Sequence, residues 1–495
     1  MLKRKTLLSL LLAAALLSGC SSGTVNDETS TTPVEEETVE SIPTVETEIT
    51  RATTPDALPA DLDFDGKTVT ILHRAGDRDV QVEVFAEDTG DVVESSIFNR
   101  NISVEDRLNI SFAYVTTADE IHAGTEVNTL LRASVLAGDA AYDIAANHMS
   151  QTTPLILDNH FYNLNTLPYL DFSMPWWNAS FNEQITLQNK LYFAVGDLSQ
   201  TMLRGTYVTF CNGKLLNEYY GDYDIYETVR SGNWTIDEFR RLADMYHDVN
   251  GDGQADHDDV YGCVRDTAGL INDALIGSFQ IPLVAHGDNG APTIVLESEK
   301  TIRFIEIMQN LLYENNYCWS EDYTTLTEKF VDDTAMLCIY RLSLSEIMRD
   351  MESDYSIVPC PKMDTEQEDY ACFTHNGFSV FVIPLSAADA EMSAAVLEAL
   401  SAESYRSCTM AYYETTVKEK LARDTNVAEM IDLIYDGIVF DFGYVYAGSL
   451  NDLIQVFRTS INNTKSTTGA STLAKKVTQA TDSLAKILEA YDTLK

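Results

Sequence analysis

Positively charged residues are scarce in this chain of 495 residues, in which 33 Lys and Arg stand against 77 Asp and Glu, for a formal net charge of −44. A surface of that sign repels phosphate backbones, which excludes nucleic acid as a partner. Cysteine is also rare, with eight residues, wide spacing and no C-x-x-C pair. Neither a disulfide framework nor a zinc site is therefore expected. Most of the seven cysteines after Cys20 are interpreted as small buried hydrophobic residues, and one isolated disulfide among them stays open.

Sequence motifs of catalysis are missing as well. The chain contains no H-E-x-x-H, G-x-S-x-G or G-x-G-x-x-G. Ser483-Leu484-Ala485-Lys486 matches S-x-x-K, but neither S-D-N nor K-T-G accompanies it. Whether the chain holds the carboxylate pair of a glycoside hydrolase stays open, because with 77 acidic residues the occurrence of any one pair carries no information. The sequence therefore favours a protein that is not an enzyme.

The longest apolar run near the start is too short to span a membrane. Leu7–Leu17 is eleven residues long and includes one Ser, whereas a spanning helix needs about 18–20 apolar residues. Lys3, Arg4 and Lys5 precede it. This pattern predicts a cleaved secretion signal over residues 1–20, and a buried N-terminal helix fits the basic start poorly.

The end of that signal, Leu17-Ser18-Gly19-Cys20, resembles a bacterial lipobox. In a lipobox, a lipid is attached to the cysteine thiol, and cleavage leaves that cysteine as the new N-terminus. The resemblance implies that Cys20 is lipidated. Two or more acyl chains suffice for lasting membrane attachment, so the expected location is extracytoplasmic, anchored to the outer face of the bacterial cell membrane.

Residues 21–60 contain nine acidic residues, one basic residue, ten Thr and four Pro. No period of 2 or 3.6 is sustained there, which predicts a disordered acidic tether.

From Asp61 onward, short apolar runs alternate with helical patterns, which is typical of an α/β fold. The predicted strands are Lys67–Leu72, Asn109–Val115, Tyr142–Ala146, Lys190–Val195, Tyr207–Cys211, Ala335–Tyr340, Tyr355–Val358 and Phe378–Ile383. The predicted helices are Val92–Leu108, Glu126–Ala137, Ile236–Tyr246, Thr301–Tyr317, Ala387–Ala402 and Thr472–Leu494.

A loop of twelve residues, 248–259, has the oxygen ligands of a calcium loop. Its first six residues fit D-x-[DN]-x-[DN]-G, and Gly253 takes the sharp turn. The expected ligands of a structural Ca²⁺ are Asp248, Asn250, Asp252, the backbone carbonyl of Gln254, Asp256 and Asp259. Position 12 is Asp where Glu is usual. An acidic turn without metal is the alternative.

Several motifs follow one another along the chain. Gly232–Phe239 fits G-x-W-T-x-x-E-F at a helix start, and the 248–259 loop and Val260-Tyr261-Gly262 follow. Asp333–Leu337 is similar to a G-x-A-A-M strand, with Asp in place of the usual Gly, and Tyr355–Pro361 is similar to Y-G-I-x-P-x-P. In this order the motifs resemble those of an extracellular solute-binding protein of an ABC importer, of the sugar-binding lipoprotein type (family 1).

The resemblance implies a two-lobe, hinged, periplasmic-binding-protein-like α/β fold of type II, with the ligand in the cleft between the lobes. The implied N-terminal lobe is 61–200 plus 360–413, and the C-terminal lobe is 205–355 plus 418–495. The crossings are expected near Leu198–Tyr207, Ile357–Pro361 and Tyr413–Lys418.

Sugars are bound by aromatic rings on their C–H faces and by polar side chains on their hydroxyls. Residues of these types at strand ends and crossings form the expected ligand site: His73, Arg74, Asn147, His148, Trp177, Asp197, Arg204, Tyr207, Tyr340, Arg341, His375, Asn376 and Tyr444.

Each of these residues also has a structural alternative. An Arg at a strand end often pairs with a carboxylate, and Tyr207 and Tyr444 fit a core position. The Trp176-Trp177 pair fits a sugar platform and a packing plug equally well, whereas Trp234 fits the core.

The resulting expectation is a monomeric, lipid-anchored receptor that passes a carbohydrate, most plausibly an oligosaccharide, to the permease of an ABC transporter. The alternatives are a secreted surface enzyme such as a glycoside hydrolase and a surface glycan-binding adhesin without transport.

Overall fold

Two separate β-sheets organise the protein. The structure is a computed structural model that describes residues 50–74, 83–117, 125–287, 290–314, 318–348, 351–413, 425–462 and 469–494. The strands in chain order are β1 (Lys67–His73), β2 (Ile110–Thr116), β3 (Ile144–His148), β4 (Tyr207–Asn212), β5 (Tyr246–His247), β6 (Val260–Asp266), β7 (Val284–His286), β8 (Pro292–Ile294), β9 (Cys318–Glu321), β10 (Ala335–Arg341), β11 (Tyr355–Pro359) and β12 (Ser379–Val382).

The helices connect these strands and cover both sheets. In chain order they are α1 (Val92–Leu108), α2 (Thr125–Ala137), α3 (Met149–Leu157), α4 (Ala179–Ile185), α5 (Gln200–Arg204), α6 (Gly213–Tyr220), α7 (Ile225–Arg230), α8 (Ile236–Ala243), α9 (Leu270–Ser278), α10 (Glu299–Gln309), α11 (Tyr323–Val331), α12 (Leu344–Ile347), α13 (Ala390–Glu403), α14 (Thr425–Asp436), α15 (Phe442–Val445), α16 (Gln455–Asn462) and α17 (Gly469–Thr493). Short 3₁₀ turns lie at Arg51–Thr53 and Leu164–Thr166, and π-helical turns lie at Asn310–Glu314 and Ser404–Cys408.

The first sheet has the order β12-β3-β1-β2. Strand β1 pairs in parallel with both β2 and β3, and β12 pairs antiparallel with β3. Helix α1 connects β1 to β2, as expected for parallel neighbours, which require a crossover connection. Asp91 caps the start of α1 by accepting from the amides of Val93 and Glu94, and Asn109 ends it in the left-handed conformation.

The second sheet has the order β11-β4-β10-β6-β5, with β9 also paired to β6. Strands β10, β6 and β9 are parallel, whereas β4 runs antiparallel to β10 and β11. Strands β7 and β8 form a separate two-stranded hairpin. The chain therefore leaves the first sheet before β4 and returns to it at β12.

Most predicted elements occur within a few residues of their expected bounds, but three do not. Residues 190–195 form only isolated bridges, such as Ala194 with Phe381, and not a strand. The helix predicted over Ile236–Tyr246 ends at Ala243, because Tyr246 already belongs to β5. The regular part of the helix predicted over Thr301–Tyr317 ends at Gln309 and continues as a π-helical turn.

The last part of the predicted tether is packed against the fold. Asp56 accepts hydrogen bonds from Arg107 (2.7 and 2.6 Å) and from Arg406 (2.7 Å), and Leu58 is buried. The two guanidinium groups outweigh burial and lower the pKa of Asp56 to about 2. The prediction of disorder up to residue 60 was therefore wrong for 50–60. The signal, Cys20 and residues 21–49 of the tether lie outside the described residues.

The seven cysteines after Cys20 are buried and free, which confirms their interpretation as small hydrophobic residues. Within the described ranges, no helix is both long and apolar enough to cross a membrane.

Candidate functional site between the two sheets

Two crossing segments join the sheets and hydrogen-bond to each other. The amide of Tyr207, at the start of β4, donates to the carbonyl of Phe373 (2.9 Å), and the amide of His375 donates to the carbonyl of Gly205 (2.9 Å). Segment 373–377 then leads into β12 of the first sheet. Both sheets therefore contribute side chains around 373–377.

The carboxyl ends of β1 and β3 gather polar side chains against this segment. The guanidinium of Arg74 is buried and donates to the carbonyl of Gly377 (3.0 Å) and to Ser379 Oγ (2.9 Å). A Cβ atom added to Gly377 would lie 2.9 Å from His375 Nδ1 and 3.8 Å from His148 Nε2. Arg74, His148 and His375 thus surround one glycine, where a side chain would displace the His375 imidazole.

His73 and Asn147 lie deeper at the same edge. His73 Nε2 lies 3.0 Å from Thr116 Oγ1, and burial lowers the pKa of the imidazole. The Asn147 amide donates to Asn128 Oδ1 (2.7 Å). These two side chains pack behind the edge and orient its backbone.

The corresponding edge of the second sheet carries Tyr207, Arg341 and Asp266. Tyr207 and Arg341 are register partners because β4 runs antiparallel to β10. Asp266 ends β6, which runs parallel to β10, so it lies at the same edge. Ligands of open α/β sheets bind outside the carboxyl ends of parallel strands, and here two such edges are joined by 373–377.

Aromatic rings accompany the Arg341 guanidinium. Tyr340 stacks on Tyr323 with ring centroids 5.4 Å apart, and the guanidinium carbon of Arg341 lies 5.2 Å from the Tyr340 ring. Burial raises the pKa of Tyr340 to about 12, and the charge and hydrogen bond of Arg341 oppose that rise. Arg341 Nη2 donates to the Tyr340 hydroxyl (3.3 Å), whereas Nε is buried and meets no acceptor among the described residues.

A buried ion pair, missed by the sequence interpretation, supports this edge. Asp273 of α9 is fully buried and is held by both Nε and Nη2 of Arg458. Burial raises the pKa of Asp273, and Arg458 opposes that rise. The only signal in the sequence is the polar pair Asn272-Asp273 inside the apolar run of α9. Asn272 is also buried, and neither polar atom of its side chain has a partner in the described part of the chain.

The predicted residues of the crossing complete the cluster. The ring of His375 lies 6.4 Å from that of Tyr207, and the ring of Tyr444 lies 4.9 Å from that of Phe373. Burial raises the pKa of both Tyr207 and Tyr444 well above the ordinary value, so the hydroxyls stay protonated. The structure thus brings together a cleft cluster: Arg74, His148, Tyr207, Tyr340, Arg341, His375, Asn376 and Tyr444. Tyr207 and Tyr444 are fully buried within it, which matches their alternative as core residues.

Two polar residues that the sequence predicted for the ligand site instead form hydrogen bonds and ion pairs within the protein at the lobe boundary. Asp197 accepts from Arg51 (2.6 Å), Thr409 (2.5 Å) and Tyr435 (2.8 Å). Arg204 forms a half-buried ion pair with Glu346, at 2.5 Å. These contacts match the alternative in which an arginine near a crossing pairs with a carboxylate.

The tryptophan pair occupies the interior of the first lobe. Trp177 is 4% exposed. The indole N–H groups of Trp176 and Trp177 both donate to the carboxylate of Glu398, at 3.1 and 2.9 Å. Burial raises the pKa of Glu398 to about 7, and the Trp177 hydrogen bond opposes this most strongly. This geometry favours the packing alternative over a sugar platform, and Trp234 is buried as expected.

Glu83 is a second feature that the sequence did not indicate. Its carboxylate is fully buried and accepts from the amide and the hydroxyl of Thr201, at 3.1 and 2.8 Å. Burial raises its pKa, and hydrogen bonding to Ser379 and the charge of Arg74 oppose the rise. Glu83 therefore supports Arg74 from behind the cluster.

The predicted calcium loop folds through hydrogen bonds to its own backbone. Asp248 accepts from the amides of Gly251 (2.6 Å) and Gly253 (2.7 Å), and both glycines have φ of 74°. Asp259 accepts from the Tyr246 hydroxyl (2.6 Å) and from the amide of Val249 (3.0 Å).

Across the parts of the chain that are described, no group of three or more His, Cys, Asp or Glu side chains is placed to hold a metal ion. The arrangement of Asp248, Asn250, Asp252, Gln254, Asp256 and Asp259 is therefore that of hydrogen-bonded turns. Calcium binding stays a prediction from the sequence.

The fold is similar to those of solved sugar-binding proteins. The sugar-binding protein MalE from Xanthomonas citri has a TM-score of 0.58 at 13% identity, with 86% of this chain and all of that chain covered. A cyclo/maltodextrin-binding protein complexed with maltotetraose has a TM-score of 0.53 at 12% identity, with 86% and 97% covered. An ABC substrate-binding protein from Listeria monocytogenes in complex with cycloalternan has a TM-score of 0.52 at 12% identity, with 85% and 100% covered.

No protein-family model matches the sequence, and no curated protein matches it. The structural similarities confirm the predicted fold: the chain has the two-lobe α/β fold of ABC solute-binding proteins.

Proposed function

We propose that this protein is the extracytoplasmic receptor of an ABC importer and that it captures a carbohydrate, specifically an oligosaccharide, between its two lobes. One observation carries the proposal: the carboxyl edges of both sheets meet around segment 373–377, where Arg74, His148, Tyr207 and Arg341 gather. The fold supports it, because structures similar to this one were solved with maltotetraose and cycloalternan.

The chemistry of the cleft cluster suits a neutral polyhydroxylated ligand. Tyr323, stacked on the buried ring of Tyr340, offers an exposed aromatic ring, the kind of surface on which the C–H face of a sugar packs. Arg341 Nε and both side-chain polar atoms of Asn272 have no partner within the described residues. Buried polar groups are costly when unpaired, so a hinge movement that brings ligand hydroxyls to these atoms would stabilise the complex.

The geometry of this site favours binding of a sugar without its hydrolysis. A glycoside hydrolase needs two carboxylates flanking the scissile bond, one of them available as an acid. Asp273 is instead held by Arg458, and Asp197 by Arg51, Thr409 and Tyr435. Asp266, the carboxylate that ends β6, accepts from the amide of Leu270 (2.9 Å) and would have to act without a second free carboxylate from this set. We therefore rank the receptor above the hydrolase.

The proposal also includes a lipid anchor at Cys20 and a permease as the partner in the membrane. Lipidation of Cys20 would hold a monomeric receptor at the outer face of the bacterial cell membrane, where a permease could take the sugar from the closed form. Radiolabelled palmitate in the expressing cells tests the anchor: the wild-type chain is expected to be labelled and Cys20→Ser is not. A surface adhesin without transport is the alternative for the same anchor.

A thermal-shift screen of the full-length protein against oligosaccharides, with chromatography of each sample, tests the function. A ligand at about 100 times its dissociation constant adds about 2.7 kcal/mol to the free energy of unfolding, which raises the melting temperature by a few degrees. The proposal predicts a shift with one class of sugar and unchanged sugar in the sample. Hydrolysis products would favour the enzyme, and no shift with any sugar would exclude carbohydrate as the ligand.

A further inference from the structure

A cavity of 640 Å³ lies at the lobe boundary, lined by residues that are not part of the cleft cluster. Its walls include Arg51, Tyr405, Tyr413, Asp432, Tyr435 and Asp436. This volume falls in the range of small-molecule sites, about 300–1,000 Å³.

Both lobes build this cavity. Arg51 and Tyr405 belong to segments that pack with α1 and each other, beside the first sheet, and the Arg51 Nε donates to the Tyr405 carbonyl (2.8 Å). Tyr435 and the two aspartates lie on α14, which packs against β11 of the second sheet. A ligand in the cavity would therefore touch both lobes at once.

The positive charge in the wall is already neutralised. The Arg51 guanidinium donates to buried Asp197 (2.6 Å) and lies 3.8 Å from the centre of the Tyr405 ring. Asp432 and Asp436 are one helical turn apart on α14, and no ion pair to either exists among the described residues. Burial and the neighbouring Asp436 raise the pKa of Asp432, and Arg51 opposes them. Among the described residues that line the cavity, the charge left without an ion pair is therefore negative.

The wall of the cavity also contains a buried hydroxyl without a hydrogen-bond partner among the described residues. The Tyr413 hydroxyl is inaccessible to solvent and has no hydrogen-bond partner in the described residues. The Tyr413 ring lies 6.0 Å from the Tyr435 ring at an angle of 78°. Since unpaired buried hydroxyls are costly, a side-chain movement that turns this atom toward the cavity would let a polar group of a ligand bond to it.

We infer that this cavity is a second binding site, which takes a small organic cation: an ammonium group on an apolar body. Aromatic rings and carboxylates together select cations, because the ring faces are electron-rich and the carboxylates attract the charge at short range. In this assignment the tyrosine rings and Ile431 pack against the apolar body, Asp432 and Asp436 face the ammonium, and the Tyr413 hydroxyl completes its hydrogen bonding. The inference is independent of which solute the cleft binds.

Calorimetric titration of the full-length protein with phenethylammonium tests the inference, with 2-phenylethanol and 3-phenylpropionate as neutral and anionic analogues. We expect saturable binding of the cation and affinities at least about tenfold weaker for both analogues, because neither analogue can donate a charged hydrogen bond to the carboxylates. Equal binding of the three compounds, or no binding of the cation at millimolar concentration, would overturn the assignment.

Three variants locate the bound cation. Asp432→Asn combined with Asp436→Asn is expected to weaken binding of phenethylammonium at least about tenfold, and Tyr413→Phe is expected to weaken it by a smaller factor. Asp482→Asn, at an exposed position of α17, is the matched control and is expected to leave the affinity unchanged. Unaltered affinity in the double variant, with its melting temperature retained, would place the cation elsewhere and overturn the assignment.

Discussion

The imidazole of His375 meets the ring of Tyr207 edge to face, with centroids 6.4 Å apart and planes at 79°. Tyr207 begins a strand of the second sheet, and His375 belongs to the segment that returns to the first sheet. This pair therefore marks the boundary at which a solute would contact both lobes. A ligand can shift a hinge equilibrium only through different affinities for its two states, and contacts at this boundary provide such a difference.

Replacement of Arg341 by Ala is expected to weaken sugar binding at least about tenfold, because Arg341 Nε offers a charged donor without another partner in the described structure. Calorimetric titration of the sugar identified by the thermal screen measures the change. Arg303→Ala removes a surface arginine paired with Asp364 and is the matched control. Equal affinity in the two variants would remove Arg341 from the site.

The buried pair of Asp273 and Arg458 is expected to stabilise the second lobe. Asp273→Asn leaves a buried guanidinium without its counter-ion, which costs about 3–5 kcal/mol in the free energy of unfolding. Urea denaturation measures this cost. In the control Asp364→Asn, an exposed pair is removed and a loss of about 0–1 kcal/mol is expected. A loss in Asp273→Asn no larger than in the control would contradict the role of the pair.

The raised pKa of Glu398 predicts how the stability of the protein depends on pH. This pKa of about 7 in the folded state lies above the ordinary value of 4.5, so the folded protein binds the extra proton between these values. The contribution of Glu398 to the free energy of unfolding is therefore fully present below about pH 4. It is lost as the pH rises through about 7, and the loss amounts to at most about 3 kcal/mol.

Urea denaturation of the wild type and of Glu398→Gln at several pH values isolates this effect, because the variant cannot titrate. We expect the wild type to lose more stability than the variant between about pH 5 and pH 8. Glu391→Gln, an exposed position of the same helix, is expected to follow the wild type. Parallel curves for wild type and Glu398→Gln would contradict the prediction.

Calcium binding by the 248–259 loop is tested by the melting temperature with Ca²⁺ and with a chelator. If the loop binds, Ca²⁺ at about 100 times its dissociation constant raises the melting temperature by a few degrees. Asp248→Asn removes one ligand charge and is expected to abolish the shift, whereas Asp482→Asn is expected to retain it. Identical melting curves with Ca²⁺ and chelator would contradict the sequence prediction.

The sequence predicted the fold well because its signals are local. The helix Val92–Leu108 has both predicted ends, set by the Asp91 cap and by Asn109 in the left-handed conformation. The order of motifs around Gly232–Phe239 and Tyr355–Pro361 led to the prediction of a two-lobe fold. The first segment lies beside the second sheet, and the second lies where the chain leaves that sheet. The strand predicted at Lys190–Val195 shows the limit of local patterns, because pairing requires a neighbour over its full length.

The partners of the site could not be predicted from local patterns. Asp273 and Arg458 are 185 positions apart, and nothing in the spacing of either residue identifies the other. Composition likewise marked 50–60 as a tether, whereas Asp56 is fixed by Arg107 and by distant Arg406. Which of 77 acidic residues meets which cation is decided by the fold.

Resonances of the histidine side chains during a sugar titration test the central claim most directly. The chain has eight His, and His375→Gln assigns the signal at the lobe boundary. The account predicts that the sugar selected by the thermal screen shifts the His375 signal and leaves that of exposed His247 in place. A saturating sugar that leaves the His375 signal unmoved would contradict a binding site between the two sheets.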